Sequence, residues 1–297
     1  MNGGRALAVA CVALAACWPP GQAVGAGPEI RWLPAAATAI PVEARPADAV
    51  PGSRIGRGSN NIARAWFSHL TARYGHRALG ADTESATLNV ELRDGRVLRH
   101  TLADASVFED LDPRVHDLDG DGRDEVLVIH SEPASGSALM TLGVRDGALV
   151  RLARSAPTGR GFTWMNPAGV LPIPGQAASV VFAVLLPHVG GTLVALRYDR
   201  GGFTELHRVE GASNHAYGSR EQRLSAMLDT DGDGMPELLI PAFGRRALRV
   251  FTWRDGRLQD AGRIDLPAAA AAAFEAPAGG GLVVPLEDGR RMRLDWR

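Results

Sequence analysis

Short apolar runs recur along this chain, and turn residues close each of them. In Asn89-Val-Glu-Leu-Arg-Asp94-Gly95-Arg-Val-Leu98, alternating apolar and polar positions flank an Asp-Gly pair. Alternation with period two predicts strands, and Asp-Gly supplies the positive φ angles of a type I′ turn, so the segment reads as a β-hairpin. The marker returns at Asp146-Gly147, Asp255-Gly256 and Asp288-Gly289, and in a looser form at Asp199-Arg-Gly-Gly202. Other runs, Val126-Leu-Val-Ile129, Val180-Val181 and Leu238-Leu-Ile240, are continuously apolar and read as strands of a core.

Two of these apolar runs follow closely similar segments, Asp117-Leu-Asp-Gly-Asp-Gly-Arg-Asp-Glu125 and Asp229-Thr-Asp-Gly-Asp-Gly-Met-Pro-Glu237. Midway between them, Pro172-Ile-Pro-Gly175-Gln-Ala-Ala-Ser-Val180 keeps the central glycine and the apolar run but no carboxylate, and reads as a decayed copy. The period is about fifty-five residues, and the Asp-Gly hairpins keep nearly the same step until a shortened last unit. One unit therefore reads strand, acidic or degenerate loop, apolar strand, loop, strand, Asp-Gly turn, strand. Such a four-stranded antiparallel meander, repeated, predicts an all-β protein built as a β-propeller of five blades, or of six if residues 27–75 hide a cryptic unit. Residues Ile30–Leu33 are placed to complete the shortened last blade, and 275–284 resemble a reduced acidic loop. The Ala268–Ala273 run has helical propensity, but its phase places it on the innermost strand of that blade.

Composition adds compartment. Residues 1–26 read as an export signal, with Arg5 ahead of the apolar stretch Ala6–Trp18, too short to span a bilayer before Pro19-Pro20-Gly21. Two processing routes fit: cleavage after Val24-Gly-Ala26, or lipid attachment at Cys17 within the lipobox-like Leu14-Ala-Ala-Cys17. The expected product is a periplasmic or secreted single domain over 27–297, or a membrane-anchored lipoprotein, with no transmembrane span once the signal is removed. Both cysteines, Cys11 and Cys17, lie in the signal, so no disulfide is expected. The net charge of −1 and pI near 6.7 argue against nucleic acid as a partner.

The acidic segments carry candidate metal chemistry. Carboxylates at positions one, three and five project toward one point, glycines at four and six permit a tight path, a carbonyl serves at seven, and an acid at nine closes the shell. Hard oxygen ligands with four negative charges select Ca²⁺. The expected sets are Asp117, Asp119, Asp121, the Arg123 carbonyl and Glu125, and Asp229, Asp231, Asp233, the Met235 carbonyl and Glu237. Asp124 departs from the pattern and is expected to face solvent, and the decayed loop should bind no metal.

These two loops resemble the calcium loops of the VCBS and FG-GAP repeat proteins, the propeller family that includes integrin alpha-subunit heads. The resemblance implies two structural Ca²⁺ ions and a propeller, but neither a substrate nor a partner.

In such a fold the acidic loops and Asp-Gly turns share one end. The other end would collect Tyr74, His76, His130, Glu132, Trp164, His188, His215 and Arg245, a rim suited to a protein or glycan ligand. A lone loop histidine is more often a hydrogen-bonding spacer, and an aromatic residue more often packing. No nucleophile elbow, P-loop, zincin or dinucleotide motif is present. The expected function is an exported, non-catalytic, calcium-binding recognition or scaffold module; the alternative is a periplasmic or secreted hydrolase or lyase acting on polysaccharide.

Overall fold

The structure is a computed structural model that describes residues 27–34, 45–103 and 105–296. The export signal and Cys17 lie outside the described residues. Among those described there is no α-helix; the chain is all-β, in antiparallel sheets.

After an N-terminal strand β1 (Glu29–Leu33), the first meander comprises β2 (Gly56–Arg57), β3 (Ile62–Thr71), β4 (Glu84–Leu92) and β5 (Val97–Thr101). The second has two short inner strands, β6 (Val107–Phe108) and β7 (Arg114–His116), then β8 (Glu125–Glu132), β9 (Gly136–Arg145) and β10 (Ala148–Arg154). A single pairing of Ser85 with Phe108 joins these two meanders into one nine-stranded sheet. The third is β11 (Met165–Pro172), β12 (Ser179–Leu185), β13 (Thr192–Asp199) and β14 (Gly202–Glu210). The fourth is β15 (Ala226–Leu228), β16 (Glu237–Pro241), β17 (Ala247–Arg254) and β18 (Arg257–Asp265). The last sheet has β19 (Leu282–Pro285) and β20 (Arg291–Asp295), and β1 completes it, with Ile30 opposite Leu294. The stretch before β19 is not helical; it pairs with the β19 region through the Ala270–Leu286 and Glu275–Val283 bridges and packs Ala270 and Phe274 into the same core as Leu282 and Val284. Tertiary pairing there overrides the helical propensity of alanine.

Period-two geometry explains the apolar runs. Val180, Phe182 and Val184 of β12 pack toward Leu238 and Ile240 of the fourth meander, whereas Val181 and Ala183 join the core shared with the second. Leu239 of β16 faces the other way, toward Leu282, Val284 and Leu294. A strand packed on both faces must be apolar at every position, so no alternation is visible in it. The outermost strands β14 and β18 do alternate, because one face meets water.

The Asp-Gly turns divide into two kinds. Asp146-Gly147 and Asp255-Gly256 have both φ angles positive, as type I′ requires. At Asp94 and Asp288 only the following glycine is positive, and the aspartate instead accepts the N–H of Arg96 or Arg290. The Asp288 turn also joins β19 to β20, so it lies at the end of the sheet away from the 276–281 loop. It is therefore not at the end shared by the acidic loops and the other Asp-Gly turns, since the last unit takes its outer strand from β1.

Candidate functional site

Each acidic segment connects the inner strand of a meander to the next: 117–124 between β7 and β8, and 229–236 between β15 and β16. Gly120 and Gly122 have φ of 68° and 82°, and Gly232 and Gly234 have 79° and 85°, the left-handed path expected of positions four and six. Single ligand atoms of Asp117, Asp119 and Glu125 lie within 4.8 Å of one another, as do those of Asp229, Asp231 and Glu237. These are the only such acidic or histidine-containing clusters among the described residues.

Both loops anchor the glutamate at position nine in the same way. Glu125 Oε2 accepts the Leu118 N–H at 3.0 Å, and Glu237 Oε2 accepts the Thr230 N–H at 2.8 Å. In both, Oε1 is buried without a hydrogen-bond partner. A buried carboxylate oxygen with no donor is costly unless a cation meets it. Burial, then Asp119 and Asp121, raises Glu125 to about 7, and burial raises Glu237.

Asp121 and Asp233 fall outside the two tight clusters. Each holds the N–H at position seven, of Arg123 at 2.9 Å and Met235 at 2.8 Å, and each meets an arginine. Arg254 lies 2.9 Å from Asp233, while Arg200 lies 3.4 Å from Asp119 and 3.9 Å from Asp121. These guanidiniums reduce the net negative charge of the loops.

Asp124 does not face solvent. It is 1 % exposed, and its carboxylate accepts the backbone N–H groups of Ser59, Asn60 and Ile62 from the first meander. Its own N–H donates to Asn61 Oδ1 at 2.7 Å. Position eight is thus a tie between meanders.

At the other end of the sheets, the loops 72–83, 155–164, 186–191 and 211–225 bring five of the eight expected rim residues together: Tyr74, His76, Trp164, His188 and His215. Tyr74 stacks on Phe162, with ring centroids 5.1 Å apart, and Phe162 N–H donates to its hydroxyl. Trp164 stacks on His188 and packs against His215, and Tyr217 meets His188 edge-on.

His76 is gripped at three of its polar atoms. Its N–H donates to Glu84, its carbonyl accepts the Tyr217 hydroxyl, and its Nδ1 lies 2.6 Å from Glu109 Oε1. Glu109 is buried; Ser131 Oγ donates to its other oxygen, and Trp164 Nε1 donates to its backbone carbonyl. Burial raises Glu109, Glu84 and Tyr74 alike. Glu109, Ser131 and Glu84 were not expected from the sequence. The one signal was a pair of acids, Glu109-Asp110, within the apolar stretch Val107–Leu111. A cavity of about 230 Å³ opens beside Glu84 and Glu109, bordered by Arg77 and Arg220.

Three expected rim residues do not join the cluster. His130 is buried in β8, because its position in the strand turns it into the protein. Glu132 pairs with Arg154 at 2.9 Å. Arg245 pairs with Glu287 at 2.5 Å and donates to the Ala270 carbonyl.

No family model matches the chain, and no curated protein matches it. Among solved structures it is similar to a Bacteroides uniformis protein described as a putative 6-phosphogluconolactonase, at 15% identity and a TM-score of 0.46, covering 79% of this chain and 63% of that one. It is also similar to a Lactobacillus plantarum protein at 19% identity and a TM-score of 0.40, covering 69% of this chain and 60% of that one. The chain spans less than two thirds of the length of either, and neither likeness carries a function across.

The histidine chain fixes its own tautomers. The Ser219 carbonyl can only accept, so His215 Nε2 carries the proton and its Nδ1 accepts from His188 Nε2–H at 2.8 Å. His188 Nδ1 is then left with a lone pair. Burial, then His188, lowers His215 to about 3, and burial, then the charges of His76 and Arg245, lowers His188 to about 4. Both are depressed below the ordinary 6.5, so their share of stability holds above pH 6.5 and is lost as pH falls through about 4 and then about 3. Nitrogen-detected NMR at pH 7 should show both rings neutral with Nε2 protonated; a charged ring would refute the assignment.

Proposed function

We propose that this is an exported, calcium-stapled β-propeller of five blades, akin to the VCBS and FG-GAP repeat proteins, that recognises a ligand at the end carrying His76 and His188. The buried, donor-free Oε1 of Glu125 and of Glu237 carries the metal part of this reading, because two loops of different sequence hold the same oxygen beside two aspartates. Asp117, Asp119 and Glu125 would hold one ion, and Asp229, Asp231 and Glu237 the other. Asp121, Asp233 and the carbonyls of Arg123 and Met235 are within the same loops to complete each shell. A count of five blades is supported by the four meanders and the last sheet, in which β1 pairs with β20 so that the two ends of the described chain meet.

Calcium titration of chelator-stripped protein by calorimetry tests this. Two sites are expected in the wild type, and one each in Asp119→Ala and Asp231→Ala. No heat from calcium, with heat from no other divalent ion, would end the metal assignment.

A second reading, a polysaccharide-active hydrolase or lyase, draws on the His76–Glu109 contact, since an imidazole oriented by a buried carboxylate can transfer protons. Product release from a polysaccharide panel, abolished by His76→Asn, would establish it; binding without turnover would exclude it.

A further inference from the structure

The patch formed by His76, Phe162, His188 and Tyr217 has a definite chemistry. His76 has its N–H, carbonyl and Nδ1 held by Glu84, Tyr217 and Glu109, which leaves Nε2 without a partner among the described residues. His188 donates through Nε2 to His215, which leaves the Nδ1 lone pair unpartnered among the described residues. Neither nitrogen is among the fully buried unpartnered atoms, and both rings are part-exposed, so each nitrogen keeps contact with solvent. Tyr217 links the two: its hydroxyl reaches the His76 carbonyl and its ring meets His188 at 5.3 Å.

The rings beside these nitrogens are unusually bare. Phe162 is 55% exposed and Tyr217 is 63% exposed, whereas Trp164 and Tyr74 behind them are buried. Phe162 also holds a φ of +57°, and Arg77, Leu186 and Arg245 in the neighbouring loops are likewise left-handed, at +64°, +50° and +59°. Such a conformation is unfavourable for a non-glycine residue, and residues held in it gather where a fixed loop shape serves a ligand.

The charges argue for a neutral occupant. Arg77 and Arg245, which flank the patch, are taken by Asp82 and Glu287, and the Glu84 and Glu109 carboxylates already accept two hydrogen bonds each. What remains is a lone pair on His188, the second ring nitrogen of His76, and two aromatic faces. Hydroxyl groups satisfy both nitrogens, since each hydroxyl donates and accepts. A ligand that combines them with C–H faces for the rings is a sugar.

We propose that this patch is a saccharide-binding site, in which hydroxyls engage His76 Nε2 and His188 Nδ1 while pyranose faces lie against Phe162 and Tyr217. The proposal rests on the reading above that this end holds the ligand, and names the ligand class.

The experiment uses the calcium-loaded protein on an array of neutral and acidic oligosaccharides, then calorimetric titration with the best-bound soluble member. Phe162→Gly removes a ring while relieving its left-handed backbone, and Tyr217→Ala removes an exposed ring, so both should fold. Saturable binding that each variant weakens about tenfold or more supports the site. Binding to no glycan, or binding unchanged in both variants, overturns it. A glycan bound through these rings by protein that ignores calcium would overturn the metal assignment and leave the saccharide site standing. Protein stabilised by calcium but silent on the array would do the reverse.

Discussion

Chelation is expected to lower the unfolding temperature of the calcium-loaded protein by on the order of 10 °C. An ion bound by the folded state alone stabilises it by about 2.7 kcal/mol at a hundredfold excess over Kd, and two such ions act together. For a chain of this size each kcal/mol moves the transition by roughly 2–4 °C. The structure shows one source of that affinity. Without an ion, Glu125 and Glu237 each bury an oxygen that no donor meets, 0 % and 2 % exposed. Differential scanning calorimetry with calcium and with chelator measures the difference, and Asp119→Ala and Asp231→Ala should each remove about half of it. Coincident curves for the wild type would show that Arg200, Arg254 and Arg145, which lies 3.9 Å from Asp121 and from Glu125 Oε1, alone balance the loops.

Asp124→Ala should destabilise the protein by about 3 kcal/mol even with calcium present. The substitution strips the acceptor from the N–H groups of Ser59, Asn60 and Ile62, in a site where Asp124 is 1 % exposed. Leaving the buried Ile62 donor unmet costs about 1–3 kcal/mol, the half-buried Asn60 donor adds to that, and the exposed Ser59 N–H can turn to water. Space at this joint is tight: a Cβ on Gly58 would lie 2.6 Å from Asp124 Oδ2. Asp124→Asn keeps one acceptor oxygen and should cost less. Asp94→Ala, which alters an exposed turn that bonds only to Arg96, should stay within about 0.5 kcal/mol. Urea unfolding of the three variants in excess calcium decides; equal costs for Asp124→Ala and Asp94→Ala would refute the tie.

The sequence determined on its own every feature that repeats locally. Asp-Gly between alternating runs located the hairpins at 94, 146 and 255, and the spacing of aspartates and glycines located both acidic loops with their left-handed positions. Such signals depend on a few consecutive residues and place the turn, although the type of turn differs between Asp94 and Asp146. The period then yielded the four-stranded meander and the fate of Ile30–Leu33, because a unit short of one strand must find it elsewhere.

What the sequence left open concerned partners far apart in the chain. Asp124 looked like a solvent-facing residue until the first meander supplied three N–H groups from 62–65 residues away. Glu109 belongs to no motif, yet it meets His76 across 33 residues and Ser131 across 22. The repeat pattern puts His130 on a rim that its strand position denies it, and it leaves Arg245 facing a ligand when Glu287 claims it across 42 residues. A side chain's role in these places is set by which loops converge and by what they leave unsatisfied. Burial makes such contacts decisive, since an unmet polar group there costs far more than in water, and burial arises only when the sheets pack.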